Sequence, residues 1–223
     1  MGQSTEILET IQMLKAFISQ KIEMGEESLV AKGLTEEPRS LEQLYNLVKD
    51  CRRCGLAQTR TNVVFGEGRE DAEVMFVGEA PGRDEDLQGR PFVGKAGQLL
   101  TQIIKAIKMR REDVYVANIL KCRPPGNRDP LPDEIRCCEP YLEQQIGLIN
   151  PRIICALGRI AAQTLLKTTA PLSALRGRLH SYQGIKLLVT YHPAALLRNP
   201  QLKRSTWEDM KFLRREYDGT IIT

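Results

Sequence analysis

The segment Glu73–Gly82, EVMFVGEAPG, decides how the rest of the chain is read. Its opening run, EVMFVG (73–78), is short and apolar and stops at a glycine, the pattern of a strand buried on both faces rather than of an amphipathic helix. The glycines and prolines behind it make a loop at the strand's carboxyl end. Three further runs repeat the pattern: VYVANIL (114–120), RIICALG (152–158) and KLLVTY (186–191). Helical patterns lie between them in GKAGQLLTQIIKAIK (94–108), LPDEIRCCEPYLEQQIGLI (131–149) and RIAAQTLL (159–166), and STWEDMKFLRREY (205–217) comes last. Strand alternating with helix predicts an α/β fold, a central four-stranded, mainly parallel sheet flanked by helices on both faces as an α/β/α sandwich.

Open sheets of this kind bind ligands beyond the carboxyl ends of their strands. The first strand feeds GEAPGRDED (78–86), and the second carries Asn118 near its end with KCRPPGNRDP (121–130) behind it. The third stops at Gly158, and the fourth runs into His192 of YHPAALLRNP (191–200). Polar, glycine-rich and proline-rich segments therefore converge on one edge. Neither GEAPG nor FGEGRED supplies the dinucleotide fingerprint G-x-G-x-x-G, which argues against a nicotinamide cofactor.

Ahead of these elements, Ile7, Ile11, Leu14, Ile18 and Ile22 recur at helical spacing and predict one amphipathic helix over residues 4 to 24. AKGLTEEPRS reads as a linker, and SLEQLYNLVKD as a second short helix with Ser40 as N-cap. The expected division is an N-terminal helical extension and linker over 1–43, either a lid on the main core or a surface for contact with a repair or replication protein, and one globular domain over 44–223. Residues 1 to 50 hold 5 basic against 9 acidic side chains, so the body carries the positive charge of a chain whose net charge is +4. A basic body suits a polyanionic partner. No apolar run approaches the roughly 20 residues that cross a bilayer, and the start lacks the basic-then-apolar order of a signal peptide. A cytoplasmic, monomeric protein with no membrane partner is expected.

Six cysteines in such a chain read as metal ligands or buried thiols rather than disulfides. Cys51 and Cys54 in KDCRRCGLA stand three positions apart, half of a metal site. Cys122 follows the second strand and precedes a Pro-Pro bend, so it can turn outward, whereas Cys155 sits mid-strand as a core thiol. Cys137 and Cys138 are adjacent on one helix, about 100° apart, and only one can face the same centre. Four thiolates fit structural zinc or a cubane iron-sulfur cluster, and spacing alone leaves the metal open.

The joint run of GEAPG, GRPFVGKAGQLL (89–100), NILKCRPPGNRDP (118–130) and HPAALLR (192–198), with the cysteines, resembles the family 4 uracil-DNA glycosylases, the iron-sulfur branch of that superfamily. The resemblance runs from about Leu44 to about Tyr217. It implies a uracil-DNA glycosylase-like fold and a [4Fe-4S] cluster held by Cys51, Cys54, Cys122 and Cys138, with CEPYL (138–142) carrying the fourth ligand. It also implies uracil-containing DNA, single- or double-stranded, as substrate. The implied reaction is hydrolysis of the N-glycosidic bond of deoxyuridine, which releases uracil and leaves an abasic site for base excision repair, on DNA in the nucleoid.

That chemistry assigns residues. An extruded uracil needs a reader for its edge, and the carboxamide of Asn118 can donate to O4 and accept the N3 proton, the reverse of the polarity cytosine presents. Phe92 resembles the stacking residue, with Gly78 and Ala80 lining the pocket beside it. Charge developing on uracil O2 calls for a donor, His192, and the cationic sugar for a carboxylate or oriented water, Glu79 with Glu85 behind it. Arg123, Arg128 and Arg198 are expected on phosphates, and Leu196 or Leu197 in the gap left by the base. No lysine stands at these catalytic positions, so the strand should stay intact. One relative traps uracil-DNA covalently through a histidine in an inserted loop; LRGRLHSYQG (175–184) contains His180 without that insertion, so a covalently trapping or noncatalytic uracil-DNA-binding protein is the alternative.

Overall fold

The computed structural model describes residues 38–219, together with 12, 13 and 15. The helix expected over 4 to 24, and the partner contact assigned to it, lie outside the described residues apart from those three. The chain divides after Pro38, and the architecture below belongs to the part that follows.

In chain order the elements are α1 (Leu41–Val48), β1 (Glu67–Gly68), β2 (Val74–Gly78), α2 (Arg83–Gln88), α3 (Lys95–Ala106), β3 (Tyr115–Asn118), α4 (Pro132–Ile149), β4 (Ile153–Leu157), α5 (Arg159–Leu166), α6 (Leu172–Leu175), β5 (His180–Tyr182), β6 (Ile185–Thr190), α7 (Pro193–Arg198) and α8 (Leu202–Asp218). The sheet runs β1-β3-β2-β4-β6-β5. The four expected strands are its parallel centre. Two short antiparallel strands, β1 and β5, close its edges. Periodicity over a few residues with one buried face carries too little signal to announce either of them.

Period-two alternation builds the sandwich. Met75 and Val77 of β2, with Ile154 and Ala156 of β4, point into the core shared with Leu44 of α1, Leu142 and Ile146 of α4 and Ala161 of α5. Val74 and Phe76, with Ile153, Cys155 and Leu157, point the other way, against Leu100 and Ile104 of α3 and Met210 and Leu213 of α8. Phe76 is fully buried, and burial of a side chain of that size stabilises the fold by roughly 1.5–3 kcal/mol. Cys155 is a core thiol, as its mid-strand position implies. Ser40 caps α1, its hydroxyl accepting from the Gln43 amide at 3.1 Å.

From β2 the chain crosses to β3 on one side and later to β4 on the other, so the strand order reverses at β2. A crevice opens there, beside Gly78 and Asn118 at the ends of β2 and β3 and His192, two residues beyond β6.

Candidate active site

A cavity of about 400 Å³ lies at this crevice. Its lining includes Glu79, Ala80 and Glu85 after β2, Phe92 before α3, Asn118 at the end of β3, and His192 and Arg198 around α7. The loop after β3 adds Asn127, Arg128 and Asp129.

Gly78 is the last residue of β2, and its side-chain position is already taken. A Cβ there would lie 2.4 Å from Asn118 Oδ1 and 2.5 Å from the Phe92 ring. Asn118 is 1% exposed, and its Oδ1 is buried without a hydrogen-bond partner among the described residues. Burying an unpaired amide oxygen is costly, so the protein holds open an acceptor site that a ligand can fill.

Phe92 is buried in the left-handed region at φ 53°. Gly97 in the first turn of α3 allows that conformation, because a Cβ there would collide with the Phe92 carbonyl at 1.8 Å. Glu85 clamps the same loop, Oε1 accepting from the amides of Val93 and Gly94, each at 2.9 Å. Arg111 holds it from behind by donating to the Pro91 carbonyl at 2.7 Å. Glu85 thus lines the cavity with one oxygen committed to the Phe92 loop. The Phe92 ring stands 5.5 Å from that of His192, tilted by 34°.

His192 is the N-cap of α7, and its Nδ1 accepts from the Ala194 amide at 3.1 Å. An accepting Nδ1 leaves the proton on Nε2. Desolvation, and then the like charge of Arg198, push the ring's pKa down to about 4. Gly158 gives the imidazole room: it sits at φ 92°, and a Cβ there would lie 3.0 Å from His192 Cβ. Glu79 is held above the usual carboxylate range by desolvation and by the neighbouring Asp129, with Arg159 and Arg198 opposing. Asp129 itself pairs with Arg159 at 2.6 Å.

The expected DNA contacts are placed unevenly. Arg198 lines the cavity. Arg128 also lines it, but its guanidinium is paired with Glu134 at 2.6 Å. Arg123 lies outside the lining and donates to Asn127 at 2.7 Å. Leu196 is 2% exposed and so belongs to the core, while Leu197, one step round the helix, is 48% exposed. Of the two leucines only the second can leave the protein surface. His180 does not line the cavity; its Nε2 lies 2.7 Å from the Leu175 carbonyl.

On the other side of β3, Cys51, Cys54, Cys122, Cys137 and Cys138 surround a second, smaller cavity with Arg53, Arg60, Lys121 and Tyr141. Three donors point at sulfur: Arg60 at Cys122 (3.3 Å), the Lys121 amide at Cys138 (3.2 Å) and the Tyr141 hydroxyl at Cys51 (3.4 Å). Desolvation raises the thiol pKa of Cys54 and Cys122 and pushes Cys138 up to about 12. Thiolates here therefore require a cation, a metal or both. Among the described residues no three cysteine, histidine or carboxylate side chains are grouped as a single-ion site. The donors aimed at sulfur and the neighbouring Arg53 and Arg60 suit an anionic metal–thiolate group.

Sequence patterns missed Asp129, Arg111 and Lys121. Asp129 was within reach, since it follows Arg128 in the same loop; the other two have no local signal.

Residues 65–211 match the family model described as the uracil DNA glycosylase superfamily. The chain is 47% identical over 180 residues to the type-4 uracil-DNA glycosylase of Archaeoglobus fulgidus, covering 77% of this chain and 90% of that protein. It is 48% identical over 184 residues to that of Sulfurisphaera tokodaii (78% and 84%). To that of Pyrobaculum aerophilum it is 46% identical over 180 residues (76% and 91%).

Proposed function

The chain belongs to the type-4 uracil-DNA glycosylases of the uracil DNA glycosylase superfamily, and we propose that it hydrolyses the N-glycosidic bond of deoxyuridine in DNA, releasing uracil and leaving an intact abasic strand. The observation that carries this reading is the buried, unpartnered Oδ1 of Asn118 on the wall of a cavity that also holds Phe92 and a neutral His192.

Uracil extruded from the stack enters the cavity against the Phe92 ring. Asn118 Oδ1 accepts the N3 proton and its amide donates to O4, whereas cytosine offers a lone pair at N3 and an amino group at C4, so two acceptors and two donors would face each other. As the glycosidic bond lengthens, negative charge gathers on O2 and His192 Nε2–H donates to it. With the pKa of its protonated form pushed down to about 4, the ring is neutral at working pH and acts on that charge as a hydrogen-bond donor through Nε2–H. The sugar becomes cationic, and the Glu79 carboxylate faces that charge and orients the water that captures it. Glu85 acts on the reaction through the Phe92 loop. Arg198, Arg123 and Arg128 bind phosphates, Arg128 after exchanging Glu134 for the DNA, and Leu197 fills the vacated stack.

Cys51, Cys54, Cys122 and Cys138 would hold a [4Fe-4S] cluster, whose chemistry here is structural, tying the segment after α1 to the loop after β3 and to α4. No helix among the described residues is long and apolar enough to cross a membrane; the proposed setting is the cytoplasm, at the nucleoid, as a monomer.

The test is to incubate the purified protein with a uracil-containing oligonucleotide and resolve the strands before and after alkali. Strand breaks only after alkali, with free uracil released, are expected. Breaks without alkali would indicate a lyase. Tight binding with no breaks under either condition would leave the noncatalytic alternative.

A further inference from the structure

We propose that Lys121 is a positioning residue for Asn118, and that this anchored residue ties the uracil-reading residue to the wall of the cysteine cavity. The proposal rests on the uracil-reading role of Asn118.

Lys121 is 1% exposed, an extreme value for a lysine. Its Nζ donates to the Asn118 carbonyl at 2.9 Å and to Gln145 Oε1 at 2.5 Å. Gln145, fully buried in α4, is itself fixed by donating to the Phe65 carbonyl at 3.0 Å and the Tyr115 hydroxyl at 3.3 Å. At the other end of the same residue the backbone amide donates to Cys138 Sγ at 3.2 Å, and Lys121 is one of the residues lining the cysteine cavity. One residue therefore contacts the backbone of the base reader, a rigid glutamine and a cysteine sulfur.

Buried away from solvent, the Nζ spends its hydrogen bonds on the Asn118 carbonyl and Gln145 Oε1, and the bond to the Asn118 carbonyl is held where water cannot compete. Asn118 Oδ1 has no hydrogen-bond partner among the described residues that would orient it, so the backbone beneath it and the packing against Gly78 set where Oδ1 points. Lys121 holds that backbone immediately beyond the last rung of the β2–β3 ladder, Gly78 opposite Asn118.

The test uses the full-length, iron-loaded protein and free uracil as probe, with equilibrium dialysis as a readout independent of turnover. Lys121→Met should keep its iron content and visible spectrum and bind an abasic product strand as the wild type does. It should bind uracil about tenfold more weakly. In the Asn118→Ala background the same change should cost nothing further, because both act on one contact. Unchanged uracil affinity in Lys121→Met overturns the proposal, and so does an equal loss in both backgrounds. Should Lys121→Met not accumulate as folded protein, Gln145→Leu removes the second anchor while leaving Lys121 and the cysteines in place; weaker uracil binding supports the role and wild-type binding overturns it. Wild-type protein that neither binds nor releases uracil would instead overturn the functional reading itself.

Discussion

At pH 5.5 an ordinary histidine, with a pKa near 6.5, is about nine-tenths protonated. His192, with its pKa pushed down to about 4, should be protonated to only about 3% at that pH. The difference between these two pKa values corresponds to roughly 3 kcal/mol favouring the neutral ring in the folded protein. The sign follows from proton counting. Between 6.5 and 4 the unfolded chain takes up the proton first, so His192 costs no stability at pH 7, and stability is lost as pH falls through that window. The chain has 2 histidines, so in a His180→Gln variant one imidazole remains to be followed by nitrogen-15 NMR. From pH 8 to 5 the expected pattern is a neutral ring with Nε2 protonated and Nδ1 bare, as the Ala194 amide dictates. Base release should show no fall attributable to His192 over the same range. A midpoint near 6.5, or a proton on Nδ1, would refute both the desolvation argument and the assignment of Nε2–H as the donor to uracil O2.

Glu79, held above the usual carboxylate range, should produce an acidic limb in the rate of base release at a pH above its ordinary value of about 4.5; Glu79→Gln should be slower, should lack that limb, and should be no less stable at pH 7, because the fold already favours the neutral form. Gly78→Ala would place a methyl 2.4 Å from Asn118 Oδ1 and 2.5 Å from the Phe92 ring, an overpacking cost of about 1–3 kcal/mol. Single-turnover excision should drop at least tenfold, with binding to abasic product retained; full activity would show that the two side chains are not held where they stand. Cys138→Ser should abolish iron binding and Cys137→Ser should not, measured as iron and acid-labile sulfide per chain; an intact cluster in the first variant would move the fourth ligand elsewhere.

The sequence by itself determined the four central strands, because a short apolar run that stops at a glycine or a polar loop is a local signal of burial on both faces; which side chains meet which helix layer was decided by packing. The sequence also determined which loops meet: once the strands are parallel, their carboxyl ends share an edge, and Glu79, Phe92, Asn118 and His192 are brought to one cavity. Where position on a helix face mattered, tertiary packing decided. Leu196 and Leu197 are alike in sequence, and the seating of α7 against α3 buries the first and exposes the second. Cys137 and Cys138 both line their cavity, and packing buries Cys138, whose sulfur accepts from the Lys121 amide 17 residues away in the chain, while leaving Cys137 half-buried. Glu85 read as a spare catalytic carboxylate until the fold laid the Val93 and Gly94 amides over it. The edge strands, the depressed pKa of His192 and the buried lysine behind Asn118 share one cause. Desolvation and hydrogen-bond partnership are set by residues distant in the chain, so they come into being only when the chain has packed.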